Sequence, residues 1–74
     1  MTWNIRIVKY QEEGEAILVL AEVYYNTQGK PCGFTSAIAM GENTDELHTY
    51  VDWMKEALAY PIIEFETQFS EWDK

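Results

Sequence analysis

Apolar and polar residues alternate in three successive stretches of the chain, and this period of two is typical of β-strands. The stretches cover residues 3–10, 16–25 and 32–40. The first has one fully apolar face, and the second is hydrophobic almost throughout, as expected of a central strand with both faces covered. The third follows Pro31 and has small residues on one face, which favours a sheet edge. We therefore predict three consecutive strands.

Short polar segments separate these stretches and predict tight connections. Residues 11–15 are polar and include Gly14, as in a hairpin loop, so the first two strands are expected to pair antiparallel. Asn26 and Gly29 stand first and fourth in a segment that fits a type I turn. The sheet should therefore be mainly antiparallel.

One amphipathic helix follows the third stretch. Asn43 or Thr44 can cap its first turn, and with Asn43 as the cap Glu46 completes a capping box. We expect the helix to end at Tyr60, because Pro61 disfavours helical geometry in the residue before it. One apolar stripe follows helical spacing, and its members are Leu47, Tyr50, Val51, Met54 and Leu58.

Residues 62–65 predict a short fourth strand. A right-handed crossover through the helix would make it parallel to the third strand and also to the first, beside which it can pair. The expected fold class is α+β, with the element order β-β-β-α-β. It has one mainly antiparallel sheet, ordered 3-2-1-4, with a single helix on one face. We assign residues 1–66 to one domain and residues 67–74 to an acidic, aromatic C-terminal tail.

The charge balance limits the classes of partner. The 74 residues include 13 acidic and five basic side chains, for a net charge of −8. This balance repels phosphate backbones, so we expect no direct contact with nucleic acid, and it favours a basic protein partner. We expect no membrane association, since the chain has no apolar run of about 20 residues. The single Cys32 and the absence of a signal-peptide pattern predict a cytoplasmic protein.

Residues of the types that commonly act in catalysis or metal binding are few in this chain. His48 is the only histidine, and Cys32 has no second cysteine with which to bind a metal. We therefore expect no catalytic residues, no cofactor, no metal and no enzymatic activity. One alternative is a small metal-dependent hydrolase that uses Glu64 and Glu66, which would share one face of the fourth strand.

The second stretch is apolar on both faces, but one helix covers only one face of a sheet. The other face needs a cover: a second copy of the chain, a partner or the C-terminal tail. We therefore predict a non-enzymatic protein-binding domain that forms a homodimer, or binds a basic protein, through the uncovered face. The candidate partner-binding residues are Leu18, Leu20, Glu22, Tyr24, Trp53, Phe69 and Trp72.

Short motifs distributed along most of the chain carry a first resemblance. The run E-V-Y-Y at residues 22–25 precedes G-K-P at 29–31, a Gly-Glu helix entry at 41–42, Met54, Ala-Leu at 57–58 and P-I-I at 61–63. This pattern resembles a family of short, uncharacterised bacterial proteins. The resemblance implies no activity.

A second resemblance concerns the fold. The order β-β-β-α-β, with Gly, Glu, Asn and Thr at residues 41–44 leading into the helix, is similar to HicB-type antitoxins, which have a partial ribonuclease H fold. This resemblance implies binding and neutralisation of a small basic ribonuclease toxin. Many such proteins also carry a DNA-binding segment, for which we expect no room here.

A further alternative is an acidic inhibitor that mimics nucleic acid, as phage-type anti-defence proteins do. Its carboxylates would be those near and along the helix: Glu42, Asp45, Glu46, Asp52 and Glu56.

Overall fold

The computed structural model describes residues 2–69 as one four-stranded sheet with two helices. The elements are β1 (Thr2–Glu12), β2 (Glu15–Tyr25), β3 (Pro31–Ser36), α1 (Thr44–Ala57), β4 (Ile63–Glu64) and α2 (Phe65–Gln68). The strand order is β3-β2-β1-β4; β1–β2 and β2–β3 are antiparallel, and β1–β4 is parallel. The predicted α+β class and the order 3-2-1-4 are confirmed. The short α2 is a second helix that the strand-and-helix pattern did not predict.

A two-residue turn joins β1 to β2. Glu13 and Gly14 have φ angles of 51° and 83°, the left-handed values that a type I′ turn requires. Both strands therefore extend further into residues 11–15 than the predicted loop allowed. Because Glu12 pairs with Glu15 across this turn, the even-numbered residues of β1 exchange backbone hydrogen bonds with β2. The odd-numbered residues direct their N–H and C=O groups to the other edge.

Asn43 caps the N-terminus of α1 as predicted, but the Glu46 carboxylate reaches the residue before the cap, so the predicted capping box is not formed in full. The Glu46 N–H donates to the Asn43 side chain at 2.9 Å, and the Glu46 carboxylate accepts from the Glu42 N–H at 3.3 Å. Gly41 lies so close to the helix that a Cβ there would be 2.8 Å from the Leu47 backbone nitrogen. The helix itself ends at Ala57, three residues before Tyr60, and a turn connects them.

One sheet face packs against α1. Ile5, Tyr50 and Ala57 are the buried members of this layer, and Leu20 and Met54 pack beside them. The predicted stripe is correct at Tyr50 and Met54. It is wrong at both ends, since Leu47 and Leu58 are exposed and Ala57 takes the buried position.

The opposite face is covered by the chain itself. Val8, Ala21 and Val23 are completely buried there, in a cluster against which Phe34 and Phe69 pack. The Phe69 ring centroid lies 5.6 Å from that of Phe34. The predicted uncovered face is therefore wrong: of the three covers left open by the sequence, the C-terminal segment is the one observed. Phe69 thus packs on the core, although we had assigned it to the tail.

The remaining differences concern strand ends. β3 stops at Ser36, and Ile38 and Met40, predicted to lie in this strand, are exposed. β4 contains two residues, because the chain turns into α2 at Phe65.

The C-terminal cover predicts a measurable contribution to stability. The substitution Phe69→Ala should lower the free energy of unfolding by about 2 kcal/mol, because it uncovers the cluster around Val8 and Val23. Leu58→Ala removes a 64% exposed side chain and should change it by less than about 0.5 kcal/mol. Urea titration measures both variants, and equal effects would contradict the covering role of residue 69.

Candidate protein-binding site

A groove of about 290 Å³ lies where α1 passes over the outer edge of β1. The strand provides one wall and the end of the helix provides the other. The groove is lined by Trp3, Asn4, Ile5, Arg6, Trp53, Glu56 and Tyr60. We call this site the β1–α1 groove.

Two tryptophans from distant parts of the chain meet in the β1–α1 groove. The Trp3 and Trp53 rings are arranged edge to face, with centroids 6.1 Å apart. The Tyr50 ring also contacts Trp53, with the ring centroids 6.0 Å apart. Trp3 remains 45% exposed and Trp53 44% exposed, so a strand and a helix each present a large aromatic surface to solvent.

The strand wall of the groove is an unpaired sheet edge. Within residues 2–69, β4 pairs with β1 at Val8 and Lys9 alone. Further along β1, the Gln11 N–H donates to a Glu66 carboxylate oxygen at 3.1 Å. The outward N–H and C=O groups of Trp3 and Ile5 have no such partner among the described residues. The first half of β1 is therefore the open part of this edge.

Arg6 closes one end of the groove. Its Nη2 donates to the Pro61 carbonyl at 2.6 Å, and its guanidinium lies 5.3 Å from the centre of the Tyr60 ring. Its Nε is buried and has no acceptor within residues 2–69. No carboxylate in this part of the chain pairs with it. The cation is thus held by a carbonyl and an aromatic face rather than by an acid.

A carboxylate clamp behind the groove fixes α1 to the sheet. Glu22 accepts a hydrogen bond from the Tyr24 hydroxyl at 2.7 Å and another from the Tyr50 hydroxyl at 2.5 Å. Burial, followed by the hydrogen bond to Glu22 and the charge of that carboxylate, raises the pKa of Tyr50 to about 12. The hydrogen bond to Glu22 also raises the pKa of Tyr24.

The structure separates the predicted binding residues. Trp53 lies in the groove, whereas Leu20 and Glu22 lie beneath or beside α1, on the face we had expected to be free. The register explains this, because Ile5 pairs with Glu22 and so places the apolar β1 face on the same side as Leu20.

The other predicted residues lie away from the groove. Leu18 is 58% exposed near the hairpin end of β2, and Tyr24 belongs to the carboxylate clamp. Phe69 covers the opposite sheet face, and Trp72 lies outside the described residues.

Sequence reasoning missed Trp3, Arg6 and Tyr60 as parts of a site. Trp3 was predicted only as a core-facing strand residue. Nothing local signals that a strand residue and a helix residue 50 positions later share one groove.

The other chemical candidates do not come together in a site within the described residues. The Cys32 thiol is buried and donates to the Tyr24 carbonyl at 3.4 Å, and His48 is exposed on α1. Glu66 lies in α2, so the predicted shared strand face with Glu64 is wrong. Within residues 2–69 no cluster of three or more His, Cys, Asp or Glu side chains has an arrangement that could hold a metal ion.

Comparison of the chain with protein-family models, curated proteins and solved structures finds no match. In the part of the chain that the structure describes, no helix is long and apolar enough to span a membrane.

The open edge predicts an alternating pattern of amide exchange. The Trp3 and Ile5 amides should exchange roughly ten-fold or more faster than those of Asn4 and Arg6, which pair with β2. The Lys9 amide is the control: it also points outward but should be protected, because β4 covers it. Hydrogen exchange measured by NMR tests this, and equal protection of Trp3, Asn4, Ile5 and Arg6 would contradict an open edge.

The carboxylate clamp predicts a loss of stability at alkaline pH. A folded-state pKa of about 12 for Tyr50, against 10.0 for the ordinary group, means that the unfolded chain releases this proton first. The protonated Tyr50 hydroxyl therefore makes its full contribution to the free energy of unfolding below pH 10. That contribution is lost as the pH rises towards 12.

The substitution Tyr50→Phe should remove this component of the pH dependence. It should also lower the free energy of unfolding by about 1–2 kcal/mol at neutral pH, because Glu22 loses a hydrogen bond. Tyr60→Phe, which removes an exposed hydroxyl, is the control and should leave the free energy of unfolding nearly unchanged. Denaturant unfolding at several pH values measures both, and an unaltered alkaline slope in Tyr50→Phe would refute the assignment.

Proposed function

We propose that this chain is a non-enzymatic protein-binding domain whose docking surface is the β1–α1 groove. The observation that carries the proposal is the half-exposed Trp3–Trp53 pair beside an open strand edge. Both sheet faces are covered by the chain itself, so the open edge, rather than a sheet face, is available to a partner.

The composition of the groove favours protein binding. Trp, Tyr and Arg are the residue types that contribute most often to the binding energy of protein interfaces, and all three line this groove. The Trp53 ring already contacts the rings of both Trp3 and Tyr50, so it needs little further ordering when a partner binds. Aromatic anchors that are already ordered lose little conformational entropy when a partner covers them.

The charge of the chain favours a basic partner. Within residues 2–69 one ion pair forms, between Lys9 and Glu64 at 4.0 Å, so most of the acidic side chains there have no basic partner, and the chain carries a net charge of −8. Glu56 brings part of that charge to the groove wall. The resemblance to HicB-type antitoxins is consistent with this class of partner, since those proteins neutralise a small basic ribonuclease.

Nucleic-acid mimicry by the helix carboxylates is the rival function. Asp45, Asp52 and Glu56 are exposed along α1, while Glu46 is occupied at the helix cap. Ionic strength separates the two functions, because binding by mimicry should weaken steeply with added salt whereas binding to aromatic anchors should weaken only moderately.

A display selection of short random peptides against the folded protein tests the proposal. Selected peptides should bind Trp53→Ala roughly ten- to thirty-fold more weakly than the unaltered protein, because an anchor ring is lost. Leu58→Ala, which removes an exposed apolar side chain outside the groove, is the matched control and should bind normally. Thermal unfolding confirms that both variants are folded. Peptides that bind all three proteins equally would disprove docking at the groove.

A further inference from the structure

The open half of β1 presents the hydrogen-bonding pattern of an incomplete sheet. The N–H and C=O groups of Trp3 and Ile5 point away from β2 and have no backbone partner within residues 2–69. An edge of this kind is a template for one more strand. It is also the strand wall of the β1–α1 groove, so a chain segment that pairs here is placed directly beside Trp53.

We infer that the groove takes an extended segment of a basic partner protein, which adds as a strand to the outer edge of β1 at Trp3 and Ile5. The inference rests on the proposed function and specifies its mode of binding. The added strand would lie ahead of β4 on the same edge of the sheet, since β4 begins its pairing at Val8. Main-chain hydrogen bonds would supply affinity and the groove walls would supply selectivity.

The two sides of the added strand meet different surroundings. Side chains of a strand alternate between the two faces of a sheet, so every second residue of the segment faces α1. Those positions meet the Trp3–Trp53 rings and Glu56, which suit one apolar and one basic side chain. Side chains at the other positions of the segment point away from α1 and come near Arg6, which would repel a basic side chain. We therefore expect basic residues on one side of the segment.

The charge of the chain selects a basic segment over a second copy of this chain. A second copy also carries −8, so self-pairing at this edge brings two unneutralised acidic surfaces together. A basic segment instead gains attraction from the same surface. Proline is disfavoured in the segment wherever its N–H must reach the Trp3 or Ile5 carbonyl.

A pair of substitutions at one position isolates the backbone contribution. Trp3→Val and Trp3→Pro both remove the indole ring, but only proline removes the outward N–H. Because the Trp3 N–H points away from β2, proline there leaves the β1–β2 hydrogen bonds intact. Circular dichroism and thermal unfolding establish that both variants are folded. Affinity is measured by calorimetric titration with the peptides from the display selection.

Strand addition predicts that Trp3→Pro binds these peptides roughly ten-fold more weakly than Trp3→Val. It also predicts an asymmetry in the peptides, since a strand pairs with one edge through alternate amides only. N-methylation of one alternate set of amides should abolish binding, and methylation of the other set should be tolerated. The selected sequences should carry Lys or Arg at alternate positions.

Other results separate the inference from the proposed function. Strand addition is overturned if the peptides need Trp53 but bind Trp3→Val and Trp3→Pro equally, or if they still bind when either set of amides is methylated. Docking at the groove would remain supported by either result. Selected peptides without basic residues overturn the charge assignment. If the protein self-associates in sedimentation and Trp53→Ala abolishes this, the occupant is a second copy of the chain. That result overturns the assignment of a basic partner segment. Peptides that bind without regard to Trp53 overturn both proposals.

Discussion

The turn at Glu13 and Gly14 sets the pairing of the two long strands, and the other features of the molecule depend on that pairing. A type I′ turn permits a single register, in which Glu12 lies opposite Glu15. A shift by one residue would exchange the two faces of a strand. The observed register instead places the apolar side chains of β1 and β2 in two coherent layers. It also determines which backbone groups of β1 are used internally and which face outward.

Covering both layers is the next constraint, because a chain of 74 residues has few elements with which to do it. α1 covers the layer around Ile5 and is fixed there by the clamp between Tyr50 and Glu22. The opposite layer is covered by Phe34 and the C-terminal segment through Phe69. Phe69, the last residue described, therefore packs against the core, and both sheet faces are covered.

The groove arises for the same reason, because the chain has few elements with which to complete its sheet. β4 contains two residues, so it completes the sheet edge at Val8 and Lys9 and leaves the first half of β1 unpaired. The end of α1 and the turn to Pro61 pass beside that half, and they bring Trp53 and Tyr60 to it. A groove lined by aromatic side chains thus arises where the secondary structure is incomplete. Its aromatic rings are held by packing that also stabilises the fold.

Much of the fold follows from local patterns, because strand period, helix capping and turn chemistry act over neighbouring residues. Alternation along β1 and β2, the Asn43 cap and the proline after α1 predicted the α+β class, and the right-handed crossover through the helix predicted the order of the strands. The two ends of the buried helix stripe, the end of β3 and the role of Phe69 were not predictable, since each depends on which surfaces meet. The meeting of Trp3 with Trp53 belongs to the same group: hairpin register, helix position and the early end of β4 must combine before the two rings share one groove. The residues neighbouring each tryptophan do not indicate this contact, because it is determined by packing between segments that are distant in the sequence.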